Sequence, residues 1–288
     1  MDIESKKFLG QPKNFISIFN ALLFDGQPVL KPEYLKDENS ELVMNVSSKH
    51  VDIIKRYEDG TYLDLFVIES QSYVDQCMVA RVMEYESVAR MRYIRQNFKK
   101  HVPMHTRLPM ILTVVLYVGE SKWNAAKRLS ELEIIHPGFE DMFNEFKLNL
   151  IELNTNHKYN TGEKATQDFF DLLRMIYRKQ ILKENLDREF NRDALYFAYV
   201  VTKNKELLNI YQESEKGDVK VCRALDEMFE ESTNKGIQMG IKQGIEQGIA
   251  LNQFEVYQTM LDKGFSVKAI ASIFSVSEES IKTLLMKA

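Results

Sequence analysis

Residues Met110 to Val118 read Met-Ile-Leu-Thr-Val-Val-Leu-Tyr-Val, an apolar run broken by one threonine. A strand with one face in water alternates apolar and polar residues. A run without alternation predicts a central strand covered on both faces. A sheet of that kind needs helices packed against it. The same run is too short to span a bilayer, so no membrane partner is expected.

The chain upstream supplies the rest of such a sheet. Val51 to Tyr57 and Tyr62 to Glu69 predict two strands, and Leu42 to Val46 a further short one. Glu58-Asp59-Gly60 is the hairpin turn between the first two, because glycine accepts positive φ. Asn14 to Phe24 places Phe15, Ile18, Phe19, Leu22 and Leu23 at helical spacing, with Asn14 positioned to cap the helix and Gly26 to end it. Tyr73 to Phe98 predicts a long helix whose apolar stripe is Met78, Val82, Tyr85, Ala89 and Tyr93. Helix, three strands, helix and strand in that order predict an α/β fold, a mixed sheet flanked by helices.

After Trp123 the chain reads as mostly helical, apart from a strand at Leu148 to Leu153. Thr166 to Leu182, Arg192 to Tyr211 and Asp218 to Glu231 predict helices. An internal repeat follows, with glycine at Gly236, Gly240, Gly244 and Gly248 and isoleucine after each. Each glycine costs a helix about 1 kcal/mol relative to alanine. The repeat is therefore either a linker or a helix packed on a second helix, and a homo-oligomer joined through this region is the expected partner. Ser266 to Ser277 then resembles a helix-turn-helix, with Ile270, Ala271, Val276 and Ile281 at its apolar or small positions and Ser277 capping the last helix. Few lysines lie there (Lys268, Lys282 and Lys287), and a small hairpin used for assembly fits the same residues. At 288 residues the chain exceeds one minimal domain. It divides into a core at 1–160, a helical extension at 161–232, the glycine–isoleucine segment at 233–251 and the tail at 252–288.

With 44% hydrophobic and 28% charged residues the composition is globular, and the net charge of -4 gives no global attraction for nucleic acid. Any DNA must be met by a local basic surface. Arg81, Arg90, Arg92, Arg95, Lys99, Lys100 and Arg107 concentrate positive charge on and after the long helix. They read as a phosphate track or as a solvated face balanced by Glu84 and Glu86. Cys77 and Cys222 match no metal spacing and read as free thiols in a reducing compartment. With no signal-peptide pattern at the N-terminus, a cytoplasmic location is expected. His101 and His105 are separated by Pro103, which opposes a helix and leaves a polar loop.

The hairpin carries the chemistry. Asp52 lies in one strand, Glu69 ends the next, and the turn between them lets the two carboxylates approach. Glu69 and Gln71, two apart in an extended chain, share a face. Two carboxylates with an amide oxygen suit a hard divalent cation such as Mg²⁺ or Mn²⁺.

Several stretches together resemble the Rpn family of recombination-promoting nucleases and putative transposases, of the PD-(D/E)XK nuclease fold. They are Asn14 to Gly26, Asp52-Ile-Ile, Phe66-Val-Ile-Glu-Ser-Gln-Ser72, Met78-Val-Ala-Arg81 with Tyr85, Leu108 to Gly119 with Trp123, and the glycine–isoleucine repeat. The resemblance implies a metal-dependent DNA endonuclease acting in recombination or transposition. Asp52 and Glu69 would be metal ligands, Gln71 the residue that positions water, and Arg81, in a family-like position, a phosphate contact; from the basic run rather than the resemblance, Arg90, Lys99 and Lys100 are expected on DNA. Many members read Glu-His-Gln where this chain reads Glu69-Ser70-Gln71, which leaves Ser70 to contribute its backbone carbonyl to the metal. Gln71 stands where the wider superfamily has a lysine. An amide orients water but carries no charge. A catalytically weak or silent scaffold that binds DNA or a protein is the alternative.

Overall fold

The computed structural model describes residues 3–38, 53–61, 63–98, 101–181, 188–214 and 217–287. The chain forms two compact units, Met1–Asp226 and Glu227–Ala288.

The first unit is built on a five-stranded sheet of β1 (Leu35–Asp37), β2 (Ile53–Glu58), β3 (Leu63–Gln71), β4 (Ile111–Tyr117) and β5 (Asn149–Glu152), in that spatial order. β1, β2 and β3 run antiparallel; β3, β4 and β5 run parallel. The sheet is therefore mixed, as expected. Gly60 turns the β2–β3 hairpin at φ 90°, a conformation that side chains resist. β4 is the apolar run, and Val114, Val115 and Leu116 are fully buried. β1 is an edge strand outside the expected set. The expected strand at Leu42 to Val46 lies outside the described residues.

Two helices cover the faces. α2 (Pro12–Phe24) lays Phe19 on Phe66 of β3 at 4.7 Å between ring centroids. Asn14 does not cap this helix. Gln11 takes that position with Pro12 after it, which frees Asn14 to donate its Nδ2 to the Phe8 carbonyl at 3.0 Å. α3 (Met78–Asn97) covers the other face. Near its start Met78, Val79 and Val82 pack with Val115 and Tyr117; further along, Tyr85 and Ala89 pack with Leu65, Val67 and Ile111. Its first residues thus lie over the carboxyl ends of the parallel strands. The helix starts at Met78 rather than Tyr73, because Asp75 Oδ1 accepts the Cys77 amide at 2.9 Å in a turn that precedes it.

The segment 124–163 corrects the helical expectation: apart from β5, which matches the expected strand at Leu148 to Leu153, it holds short 3₁₀ turns and no α-helix. Side chains that bind backbone compete there with helix formation, as where Ser130 and Glu145 bond through both Oγ and the Ser130 amide. α1 (Ile3–Leu9), α4 (Lys164–Arg178) and α5 (Arg192–Thr202) share an aromatic core, with Phe169 and Phe197 4.4 Å apart. The expected helix Arg192 to Tyr211 is two. Lys203 goes left-handed, and Asn204 caps α6 (Lys205–Glu213) by accepting the Glu206 amide. Asp168 and Asp171 of α4 pair with Arg188. A two-stranded ribbon, β6 (Glu189–Phe190) with β7 (Val219–Lys220), precedes α7.

α7 (Cys222–Asp262) includes the glycine–isoleucine segment, which is helical. In the second unit the end of α7 packs with α8 (Val267–Phe274) and α9 (Glu278–Lys287) around Tyr257, Ile270, Ala271 and Ile281. Ser266 caps α8, and Ser277 caps α9 by accepting the Ser280 amide at 3.1 Å. The helix-turn-helix-like pattern thus folds into two short helices joined by a turn. Among the described residues no helix is long and apolar enough to cross a membrane.

Candidate functional site

β3 extends to Gln71, beyond the expected end at Glu69, so Glu69 and Gln71 are two residues apart on one strand. Glu69 pairs in register with Val115 and Gln71 with Tyr117. Val115 and Tyr117 pack under α3, so Glu69 and Gln71 face the same way. Both are 4% exposed. Gln71 Nε2 is buried without a hydrogen-bond partner among the described residues. A buried donor left without an acceptor costs about 1–3 kcal/mol. Ser70, between them, points to the opposite face.

The β2–β3 pairing reaches Ile53 opposite Ile68. Asp52 is the next residue in the chain and lies outside the described residues, as do Lys99 and Lys100. Among the described residues no three His, Cys, Asp or Glu side chains cluster as metal ligands.

Arg81 comes into the site from the first turn of α3. Its Nη2 is 3.2 Å from Glu69 Oε1, and its Nη1 is 2.5 Å from Asp75 Oδ2. Tyr85, one turn on, accepts from Arg81 Nη2 at 2.8 Å and Nε at 3.1 Å. Burial works against the Arg81 charge, but Asp75, Tyr85 and Glu69 outweigh it and hold the guanidinium firmly protonated. Burial raises the Tyr85 hydroxyl, so it remains protonated at neutral pH.

The structure brings Glu69, Gln71 and Arg81 together. It does not bring Arg90 with them. Arg90 lies nine residues along α3, about 14 Å farther, and pairs with Glu86 at 2.8 Å. Arg107 lines a groove of about 640 Å³ with Asp64 and Tyr93, at the opposite end of β3. Tyr117 and Trp123 are core residues, edge to face at 5.1 Å. His101 and His105 lie on non-helical chain, as expected.

Two acids escaped sequence reasoning. Asp75 anchors Arg81, and its signal was the Asp-x-Cys turn before α3. Glu152 ends β5 beside Tyr117, 7% exposed, and accepts the Trp123 amide at 2.8 Å. Its signal was its position, an acid closing a strand as Glu69 nearly closes β3. Burial, with Glu152 nearby, raises the Tyr117 hydroxyl.

In this α/β fold an acid and an amide lie near the end of a central strand, at the carboxyl edge of a parallel array, the edge at which open sheets of this class commonly place their sites. The chain belongs to the family described as putative transposase, YhgA-like, whose profile matches residues 29–206. That membership ties it to transposition and recombination, in line with the resemblance read from its motifs. No curated protein and no solved structure matches the chain.

Proposed function

We propose that this protein is a metal-dependent DNA endonuclease of PD-(D/E)XK type acting in recombination or transposition. The observation that carries the reading is the pair Glu69 and Gln71, both buried on one face at the carboxyl edge of the sheet, with Gln71 Nε2 lacking an acceptor. A carboxylate, an amide and the Ser70 carbonyl fit Mg²⁺ or Mn²⁺, and Asp52 adds the second carboxylate. Such an ion polarises a phosphoryl oxygen and activates water at neutral pH. Gln71 orients the attacking water through its amide. Arg81 takes the phosphate at the site, and Arg90, Lys99 and Lys100 bind the duplex further along. The test is plasmid DNA with Mg²⁺ or Mn²⁺ and the Asp52→Ala and Glu69→Ala variants. Nicking by wild type and loss in both is expected; nicking that survives both sinks the reading.

One observation favours a second reading. Gln71 carries no charge, so the core would instead be a silent scaffold that binds DNA or a protein. Calorimetry with Mn²⁺ separates the two. Binding abolished by Glu69→Ala supports the enzyme, and a folded protein that ignores metal supports the scaffold.

Assembly belongs to the same proposal. Ile237, Ile241, Ile245 and Ile249 are each 54–57% exposed along α7. A Cβ added at any of the four repeat glycines would meet nothing within 4 Å. A second copy laid antiparallel about Gln243 puts Ile237 opposite Ile249 and Ile241 opposite Ile245. The stripe is thus self-complementary, as a two-fold dimer requires. A dimer carries two sites, the number that cutting both strands of a duplex calls for. Among the described residues neither Cys77 nor Cys222 forms a disulfide, which fits a cytoplasmic setting.

A further inference from the structure

We propose that Arg81 is the electrostatic group of the site, a fixed cation that neutralises charge on the reacting phosphate and weakens the hold of Glu69 on metal. Asp75 and Tyr85 are the positioning residues that aim it. This rests on the nuclease reading above.

Attack on a phosphodiester builds negative charge on the phosphoryl oxygens, and a cation already in place stabilises it without reorganisation. The polar groups that β3 contributes at this edge, Glu69 and Gln71, bring no positive charge. Arg81 does, 3.2 Å from Glu69. Its side chain is 17% exposed, against 6% for Glu69 and 16% for Asp75. Burying such charges is costly and holds only where hydrogen bonds are nearly complete.

Here the bonds come from a dedicated cradle. Asp75 takes Nη1, and Tyr85 takes Nε and Nη2 together. Glu69 and Asp75 are two carboxylates on one guanidinium, so they pin its plane from two sides. A lysine cannot reproduce that fork. A tie that only joined α3 to β3 would need no second carboxylate and no bifurcated phenol. The same charge opposes a divalent ion on Glu69, since like charges a few ångströms apart repel even at a partly wet site.

The two effects have opposite signs, which makes the idea testable. Duplex cleavage with Mn²⁺ and Mn²⁺ binding by calorimetry are measured for wild type, Arg81→Gln, Arg81→Lys, Tyr85→Phe and the double variant Arg81→Gln/Gln71→Lys. Arg81→Gln is expected to cut about 10²-fold more slowly while binding Mn²⁺ about tenfold more tightly. Tyr85→Phe lowers kcat with KM and Mn²⁺ affinity near wild type. The double variant, with a cation restored two residues from Glu69, regains cleavage over Arg81→Gln. If Arg81→Gln cuts as wild type does, or loses Mn²⁺ affinity along with activity, Arg81 is a structural tie and the proposal is overturned. Should Arg81→Gln not fold, the kcat of Tyr85→Phe decides: an unchanged value overturns the proposal. A wild type that binds no Mn²⁺ and cuts nothing overturns the nuclease reading itself, a separate outcome.

Discussion

The Glu86 carboxylate reaches from α3 to the backbone of β4, where Oε1 accepts the Thr113 amide at 3.1 Å while Oε2 takes Arg90 Nη2 at 2.8 Å. The Asn149 amide serves the other backbone group of Thr113, donating to its carbonyl at 3.1 Å. β4 pairs with β5 from Val114 onward, so these two side chains satisfy the backbone just before the ladder begins. Glu86→Ala leaves a buried N–H without an acceptor and is expected to cost about 1–3 kcal/mol. Glu86→Gln keeps an oxygen for Thr113 and costs less. Urea unfolding of both variants checks the order; equal losses would contradict it.

Gly119 follows β4 where the chain passes under the end of β3. A Cβ there would stand 2.6 Å from the Ser72 carbonyl oxygen and would collide with the Tyr117 ring. Backbone oxygen cannot swing away as a flexible side chain can. Gly119→Ala is expected to lower stability by about 1–3 kcal/mol and to shift the strand ends beneath Gln71. Thermal unfolding with Mn²⁺ calorimetry reads both effects. A variant with unchanged stability would show that this approach is looser than described.

How much of this was legible in the sequence follows from how local each feature is. The β2–β3 hairpin and β4 were readable because turn chemistry and an unbroken apolar run are written in consecutive residues. β1 was not, since Leu35-Lys36-Asp37 is too short and polar to show alternation. The α5–α6 break was hidden because apolar spacing continues across Lys203 and Asn204. Gln71 was visible as a neighbour of Glu69, but its burial depends on β4 and α3. The Asp75–Arg81–Glu69 link was hidden for the same reason. It exists only because α3 returns antiparallel over β3 and lowers its first turn onto the strand ends.

Asp64 offers a test by pH. Its Oδ1 accepts the Met110 amide at 3.1 Å, yet burial raises its carboxyl above the usual value. A carboxyl raised in the folded state binds protons more tightly there than in the unfolded chain. It therefore lowers stability as pH rises through the window from 3.8 to the raised value. Asp64→Asn keeps an acceptor for Met110 and removes the charge. It is expected to be slightly more stable than wild type at pH 7, by less than about 1 kcal/mol after solvent screening, with the gain vanishing below pH 3.8. A gain that persists in acid would point to packing instead.

The α7 stripe predicts assembly. Light scattering of the full chain and of a version ending at Glu231 is expected to give a dimer or larger and a monomer, respectively. Burying each isoleucine contributes about 1.5–3 kcal/mol, against about 1 kcal/mol lost at each glycine. Monomers in both cases at micromolar concentration would remove the dimer from the account.

The most direct measurement of the central claim is single-turnover cleavage of a labelled duplex with Mn²⁺, comparing wild type with Glu69→Gln. The substitution keeps the shape of the side chain and removes the charge that would hold metal beside Gln71. The account predicts that wild type cuts and that Glu69→Gln cuts at least about 10²-fold more slowly, with Mn²⁺ binding lost in step. Equal cleavage by the two proteins would contradict it.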